Sequence, residues 1–577
     1  MKNKWQIKET DANLALMSEV LGISEITANV MANRNLRTKK TAQKFLAPSL
    51  ETLHDTKQMK DAEVVLKRIS EAIDAKEKIV IYGDYDADGI TSTAVLQKIL
   101  TRLDANVTYY IPHRQEEGYG LNHKAIEKLA AEGTRLIIAV DNGISAVEEI
   151  EAANALGLDT VIIDHHEPGE KLPPAIGIVD PKQPDCPHPF KEMCAGGLAY
   201  KMAAALCEYR NVPFYERDEM LVLATIATLC DIVDLVDENR IIVNSGLAVL
   251  NANKLINPGL GSLITLRGYL EKPIDTFSIG FVIGPCLNAS GRLERADLSV
   301  ELLLAEDFTR RTELAQKHLE LNEARKTLTA ECVERVLSLL DMENLDKVLV
   351  ISDEEAHESV AGIVAGRVRE TTNRPTIMLT QGDGAMKGSG RSIPIFNIYE
   401  ALSAHRHLFL RFGGHAMAAG LTLPAENISI LREALNNDCQ LTDDDFRPTL
   451  EIDRLLQLSE VTLNLSDELT RLAPFGKNND EPLFVSQYLL AEQVRVLDEK
   501  RTLIFSFASP KGTVKGIAFG LNDLYAERLK EAGEEHNKNG GVFMDVVYNI
   551  EANVYNGRTS VQMRVRDFEI IKMKATQ

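Results

Sequence analysis

KIVIYGDYDADGITST, residues 78–93, decides how the chain is read. A short β-branched apolar run, Ile79 to Tyr82, stops at Gly83. Asp84, Asp86 and Asp88 then stand at every second position, Gly89 closes the loop, and a helix-periodic segment starts at Ile90. One Asp after a strand is ordinarily the N-cap of the next helix. Three in a row repel one another unless a cation sits among them. The stretch therefore asks where its other ligands are.

The surrounding sequence answers with a repeating rhythm. Val107 to Pro112, Arg135 to Val140 and Thr160 to Asp164 read as strands. Ile90 to Arg102, Asn122 to Glu132 and Ser145 to Leu156 read as the helices between them. Short apolar strands alternating with amphipathic helices predict βαβ units and a parallel sheet. In such sheets the ligand site lies at the carboxyl ends of the strands. Those ends carry Asp84, Asp86 and Asp88, then Asp141, then Asp164, His165 and His166. Asp180, before Pro181, reads as a turn residue, and Asp231 follows a buried-looking helical run. Three consecutive strand-end loops bearing hard-metal ligands are poorly explained by capping. Carboxylates with imidazole suit Mn²⁺ or Mg²⁺, whereas a structural zinc wants cysteine. Six or seven ligands exceed the need of one ion, which predicts two ions about 3.5–4 Å apart and phosphoryl hydrolysis.

Composition sets the outer limits. A chain of 577 residues predicts three or four domains, and 45% apolar content is ordinary for a globular protein. No apolar run reaches the roughly 18 residues of a membrane span, and the N-terminus lacks a signal-like apolar region. The seven cysteines form no CxxC pair, which suggests a reducing, cytoplasmic setting without a disulfide framework. A net charge of -21 means that any polyanion site must be a local basic patch.

GDYDADG, VDNG, the DHH of VIIDHHEPG and LCDIVDL resemble the four motifs of the DHH phosphoesterase superfamily. Downstream, GPCLNASGRL, HESVAGIVAGRV, GSGRSI and FGGHAMAAG are similar to the RecJ branch, the single-strand-specific 5′→3′ DNA exonucleases. The resemblance runs from about residue 60 to the end of the chain. It implies a metal set of Asp84, Asp86, Asp88, Asp141, His165 and Asp231, with catalytic roles for Asp141, His165 and His166. Several superfamily members place a histidine where this chain has Tyr82, so Asp84 is expected to stand in for it. His166 is a further ligand, a proton donor or an electrostatic stabiliser, and Asp164 orients the histidines. Arg114, Ser389 and Arg391 are candidates to grip a 5′-terminal phosphate, and Arg292, with Asn288 nearby, would guard the strand's path. His357 at a helix start and His415 after two glycines complete the nucleic-acid-binding set. Ala356 stands where the family often has an aromatic residue, and Asn478 where it commonly has glycine.

The resulting architecture is two α/β domains joined by a long helix around a cleft, followed by a small barrel. Residues 1–75 are expected as an N-terminal helical cap on the domain that follows, 76–298 as the DHH domain, and 299–345 as one connecting helix. Residues 346–446 are expected as the DHH-associated domain, with GSGRSI and FGGHAMAAG as glycine-flanked loops. Regular short strands with Gly and Asn turns over 447–577 predict a barrel. By resemblance it is an OB-fold, which binds single strands through basic and aromatic groups. Phe505, Phe507, Phe519 and Tyr555 are its candidate stacking residues, although alternation puts Phe505 and Phe507 on a core face.

The expected activity is metal-dependent 5′→3′ hydrolysis of single-stranded DNA to 5′-mononucleotides, in repair and recombination. The resemblance implies a monomer with single-strand-binding protein and a RecQ-type helicase as partners, and no membrane. Two alternatives stand beside it: a phosphodiesterase for short oligonucleotides or cyclic dinucleotides, and an inactive DNA-binding scaffold. The long C-terminal half speaks against the first, and the full set of acids against the second.

Overall fold

The computed structural model describes residues 2–382, 384–509, 512–533 and 541–571. The chain divides into two compact units. One comprises residues 54–233 and 246–448; the other gathers residues 1–53, 234–245 and 449–577.

The first unit holds two five-stranded sheets. In the earlier sheet every pairing is parallel, and the order is Asn106–Tyr110, Lys78–Tyr82, Leu136–Val140, Asp159–Ile163, Gly177–Val179. The first strand of this sheet in sequence thus lies second in space, and the strand order reverses between Lys78–Tyr82 and Leu136–Val140. That is the topological switch point at which open α/β sheets bind ligands. Ile79, Val80, Ile81 and Tyr82 are buried, as are all five residues of Leu136–Val140. A strand covered by helices on both faces reads as a continuous apolar run, and these do.

The later sheet is mixed. Leu349–Ser352 and Thr376–Gln381 pair in parallel, and Met386–Arg391, Ala418–Leu423 and Arg411–His415 follow antiparallel. GSGRSI is therefore strand rather than loop, and FGGHAMAAG folds into a hairpin of paired strands. Glycine allows close strand approach there as readily as it allows a turn.

The connector is two helices. Asp297–Leu304 ends before Ala305, and Phe308–Ser338 restarts behind Asp307, whose side chain caps the Arg310 N–H. An Asp cap in a Gly- and Pro-free run thus breaks the single helix expected over 299–345. The second piece runs for 31 residues, about 46 Å at helical rise.

The other unit is a barrel with its own helices. Phe484–Leu497, Thr502–Ser509, Gly512–Phe519, Arg558–Ile570 and Val542–Tyr555 pair in turn, and the first and last of these pair to close the ring. Phe484, Phe505, Phe507, Tyr548 and Phe568 fill it. Phe505 and Phe507 are thus core, while Phe519 and Tyr555 are exposed. Met17, Ala28, Met31 and Phe45 belong to the same apolar cluster. The expected N-terminal cap therefore divides: residues 1–53 pack with the barrel, and the helix Ala62–Asp74 goes with the parallel sheet. Helical periodicity reveals an apolar face but not the surface it covers. Asn478 takes φ 59, a left-handed conformation that asparagine shares with glycine, so the turn survives the exchange. Arg240, almost wholly buried, donates to the carbonyls of Phe45, Leu472 and Ala473 and lies 3.7 Å from the Phe45 ring centre.

A carboxylate cage beside an arginine-lined cavity

The loop after Lys78–Tyr82 is held by its own aspartates. Asp86 is the N-cap of the helix Ala87–Arg102, its Oδ1 accepting the N–H groups of Asp88 and Gly89. A Cβ at Gly89 would lie 2.6 Å from the backbone nitrogen of Asp84, so the loop closes only around glycine. Asp88 points the other way. Its two oxygens accept the N–H groups of Ala195 and Gly196 at 2.8 and 2.6 Å, at the start of the helix Ala195–Tyr209. That helix lacks a side-chain cap of its own, so Asp88 caps it from a distance. Capping and ligation coexist, because a carboxylate has about four lone-pair sites.

Three overlapping groups of donors gather here, two of them triads. Asp84, Asp86 and Asp141 present ligand atoms within 4.8 Å of one another, as do Asp88, His165 and Asp231. Asp141 links them, its Oδ1 lying 3.1 Å from His165 Nε2. It holds this position at φ 63, an uncommon conformation that aspartate tolerates better than most residues. His165 Nε2 also lies 3.7 Å from Asp88, and its Nδ1 lies 3.7 Å from Asp231.

The charges are out of balance. Burial pushes the carboxyls of Asp84, Asp141 and Asp231 well above the usual range, and neighbouring aspartates push further. Asp88 rises to about 7 for the same reasons. Asp84 Oδ1 is buried without a hydrogen-bond partner. An orphaned oxygen among mutually repelling acids fits a bound cation. Burial and the neighbouring His166 lower His165 to about 3, which keeps it the neutral imidazole that ligation requires. Burial raises the thiols of Cys194 and Cys230, so neither offers thiolate, and the donor set is oxygen and imidazole. That set suits Mn²⁺ or Mg²⁺.

His166 lies outside the two triads but in the third group, with Asp141, Asp164 and His165, whose ligand atoms also lie within 4.8 Å of one another. Burial opposes charge on it, yet the bond of Nδ1 to Asp164 Oδ1 at 2.7 Å outweighs burial and raises it to about 9. Asp164 is fully buried and accepts the N–H groups of Ile144 and His165, so it fixes the backbone and both imidazoles' loop together. Tyr119 reaches His166 at 3.3 Å and donates to the Asp141 carbonyl at 3.1 Å. Tyr82 turns into the core, where its hydroxyl donates to Gly120 O, and it contributes no donor to the cage. Asp180 is a buried turn residue, accepting the Lys182 N–H.

A cavity of about 250 Å³ adjoins the cage, lined by Arg114, Arg292, Lys387, Ser389, Arg391 and Gly362, among others. Arg114 lies 4.8 Å over the ring of Tyr85, the residue between Asp84 and Asp86. Arg391 donates to Ser389 Oγ and Gly390 O, and Arg292 to Ser359 O. Burial lowers the pKa of Arg391, and Arg114 lowers it further; burial and Arg114 bring Arg292 to about 9. Among the described cations of this wall, Lys387 pairs with a carboxylate, Glu358 at 3.0 Å. Ala361 and Gly362, the first residues of the helix Ala361–Thr372, complete the wall. Guanidinium groups crowded above a helix N-terminus make an anion site.

Four of the seven residues expected to bind nucleic acid thus meet in one cavity: Arg114, Arg292, Ser389 and Arg391. Asn288 lies nearby but is spent on the metal loop, accepting the Ala87 N–H at 2.8 Å. His357 bonds Ser359 at a helix start, and His415 lies exposed at the hairpin turn; neither lines the cavity. Sequence reading missed Lys387, Gly362 and Tyr119, and the Ala195–Gly196 amides that hold Asp88. The small-residue run CAGG was the one visible sign of those amides.

Residues 78–229 match the DHH family, N-terminal domain; 345–440 match the DHHA1 domain; 452–567 match the RecJ OB domain. The single-stranded-DNA-specific exonuclease RecJ of Bacillus subtilis is 36% identical over 98% of this chain and 71% of its own length. Its namesake in Escherichia coli is 30% identical over 98% and 99%. Among solved structures, RecJ of Thermus thermophilus in complex with Mn²⁺ superposes with a TM-score of 0.83. The two are 28% identical, and the match covers 98% of this chain and 79% of that one. The Mg²⁺ complex of the same protein gives a TM-score of 0.76 at 26% identity, covering 98% and 78%.

Proposed function

The chain belongs to the RecJ family of single-stranded-DNA-specific exonucleases, and on that premise we propose that it degrades single strands from the 5′ end with two divalent ions. It is a hydrolase of single-stranded DNA, and Mn²⁺ or Mg²⁺ is its metal. One observation carries the finer reading. A cage with two donor triads, joined through Asp141 and His165, adjoins a cavity that wants a phosphate.

When bound, the ions supply Lewis-acid polarisation of phosphate and a nucleophile at neutral pH. The chain's own residues supply the rest. Arg114, Ser389 and Arg391, against the open backbone of Gly362, receive a terminal phosphate. A 5′-phosphate seated there places the next phosphodiester at the cage, and polarity follows from that spacing. His166, held protonated by Asp164, offers a proton to an oxygen of the scissile phosphate. Arg292 stands between pocket and cage, close enough to feel Asp86.

The same proposal assigns the enzyme to DNA repair and recombination in the cytoplasm. It gives single-strand-binding protein and a RecQ-type helicase as partners of a monomer. Family resemblance supports those assignments, and seven free cysteines suit a reducing compartment. No single helix among the described residues is long and apolar enough to cross a membrane.

The test is a 5′-phosphorylated single strand with label at either end, incubated with Mn²⁺ and purified protein. Labelled 5′-mononucleotide released first from the 5′ end is the expected result. Release from the 3′ end, or activity on dinucleotides alone, overturns the polarity or the substrate.

A further inference from the structure

One aromatic feature lies outside everything assigned so far. Phe277 and Phe281 are 61% and 68% exposed, with their rings stacked at 5.0 Å and 24°. Large aromatic side chains left in water at such exposure, and as a pair, mark a binding surface rather than a packing remainder. Their position says what binds. Phe277 caps, and Phe281 lies in, a π-helical turn, Ser278–Ile283, that runs straight into the helix Gly284–Leu293. Asn288 and Arg292, four apart, share a face of this helix, and Phe281, seven residues before Asn288 across the end of the π-turn, falls on the same side, with Phe277 stacked beside it. The stripe therefore begins at the anion cavity with Arg292 and passes the metal loop at Asn288, where Ala87 is held. It ends on two aromatic rings. Phe281 lies about 16 Å from Arg292 at 1.5 Å per residue.

The turn is also fastened to the cage where it runs into the helix. A Cβ at Gly284 would meet Cys230 Sγ at 2.3 Å, so the helix packs directly on the residue before Asp231. The residue after Asp231 is Ile232, which is 67% exposed and held at φ 57, a conformation that β-branched residues avoid. Apolar surface thus stands in water immediately beyond a metal-binding residue.

We infer that Phe277 and Phe281, with Ile232 at their margin, form a stacking platform for the nucleobases of the strand on the 3′ side of the cut. The platform rests on the reading given under Proposed function and adds its missing half: phosphate held ahead of the metals, bases held behind them. A single strand is the occupant this stripe fits, because it alternates guanidinium, metal loop and aromatic surface as a strand alternates phosphate and base. Stacking of this kind is indifferent to sequence, as a nuclease that cuts any single strand needs.

The experiment compares Phe277→Leu with Phe281→Leu as a double variant, and the corresponding double tryptophan variant, against the unaltered enzyme with Mn²⁺. The substrates are a long 5′-phosphorylated oligothymidylate and the same strand with abasic sites behind its first nucleotides. The leucine variant is expected to raise KM for the intact strand about tenfold or more, with kcat held within about twofold. Tryptophan restores KM, and the abasic strand costs the unaltered enzyme much but the leucine variant little. Leucine keeps the surface apolar, so a surface for a protein partner or a merely structural role leaves KM unmoved, which overturns the inference. Full additivity of the leucine and abasic losses overturns it too. If the unaltered enzyme fails to cut the intact strand at all, the reading beneath fails instead.

Discussion

The two sheets of the first unit are built to opposite electrical ends. The parallel sheet collects acids, each in a loop just past a strand's carboxyl end. The mixed sheet collects cations and hydroxyl donors inside a strand, where Ser389 and Arg391 stand two residues apart on one face. Neither collection is stable by itself. Burial and neighbouring aspartates raise the carboxyls of Asp84, Asp88, Asp141 and Asp231, while burial and Arg114 depress Arg292 and Arg391. Each site is unfinished until a partner of opposite sign arrives: cations for the first, a phosphate for the second. A phosphodiester backbone with divalent ions satisfies both, and the difference between the sheets therefore describes the substrate.

Breaking the acid half should cost most. Asp141→Asn keeps shape and left-handed backbone but removes the charge that joins the two triads. Cleavage should fall by about a thousandfold or more, with an unchanged circular dichroism spectrum; retained activity would detach Asp141 from the metals. Asp164→Asn is the next step, since it loosens His166 and the backbone at Ile144 and His165 while leaving every side chain of the two triads in place. A loss of about 10–100-fold in kcat is expected, and an effect on KM alone would show that Asp164 does not position the chemistry.

Breaking the basic half should cost less and differently. Arg391→Lys preserves the charge and loses the fork, so KM for 5′-phosphorylated strands should rise about fivefold to tenfold. Strands with a 5′-hydroxyl should be unaffected by it; an equal loss on both would deny that the cavity reads the phosphate.

The smallest effect is on stability and sharpens the comparison by removing the metal. A carboxyl raised in the fold binds more protons folded than unfolded, so its contribution is lost as pH climbs from 3.8 through about 7 for Asp88. His166, raised to about 9 by Asp164 against burial, contributes stability that is complete below 6.5 and lost through about 9. Both run the same way. His165, lowered to about 3, runs the other way but only below 6.5, so the thermal midpoint of chelator-treated protein should fall by a few degrees between about pH 6.5 and pH 9. Mn²⁺ or Asp141→Asn should flatten that slope, and a midpoint rising with pH would contradict the picture of unpaired acids.

The acid half was legible because its signal is local. Asp84, Asp86 and Asp88 share a loop, Asp141 and Asp164 each follow an apolar run, and strand-end position follows from the βαβ rhythm. The basic half was legible only as a set of names. Nothing in GSGRSI distinguishes a loop from the strand it forms, and the meeting of Arg391 with Arg114 and Gly362 depends on contacts between distant segments. Asp88's bonds to Ala195 and Gly196, and the union of Met17 and Met31 with the barrel core, were invisible for the same reason. Periodicity tells which face is apolar, while the partner of that face is settled by tertiary contact.

That last union has a consequence for biosynthesis. Residues 1–53 are made well before the rest of the core they share, which resumes only at Leu456. At 5–20 residues per second, about 20–80 s of translation separates the two. For that interval the Met17, Met31 and Phe45 faces have no barrel to cover, although the first α/β sheet can already close. These helices are thus made long before the surface they pack against. An early-exposed apolar surface of this kind is where a chaperone would be expected to hold the nascent enzyme.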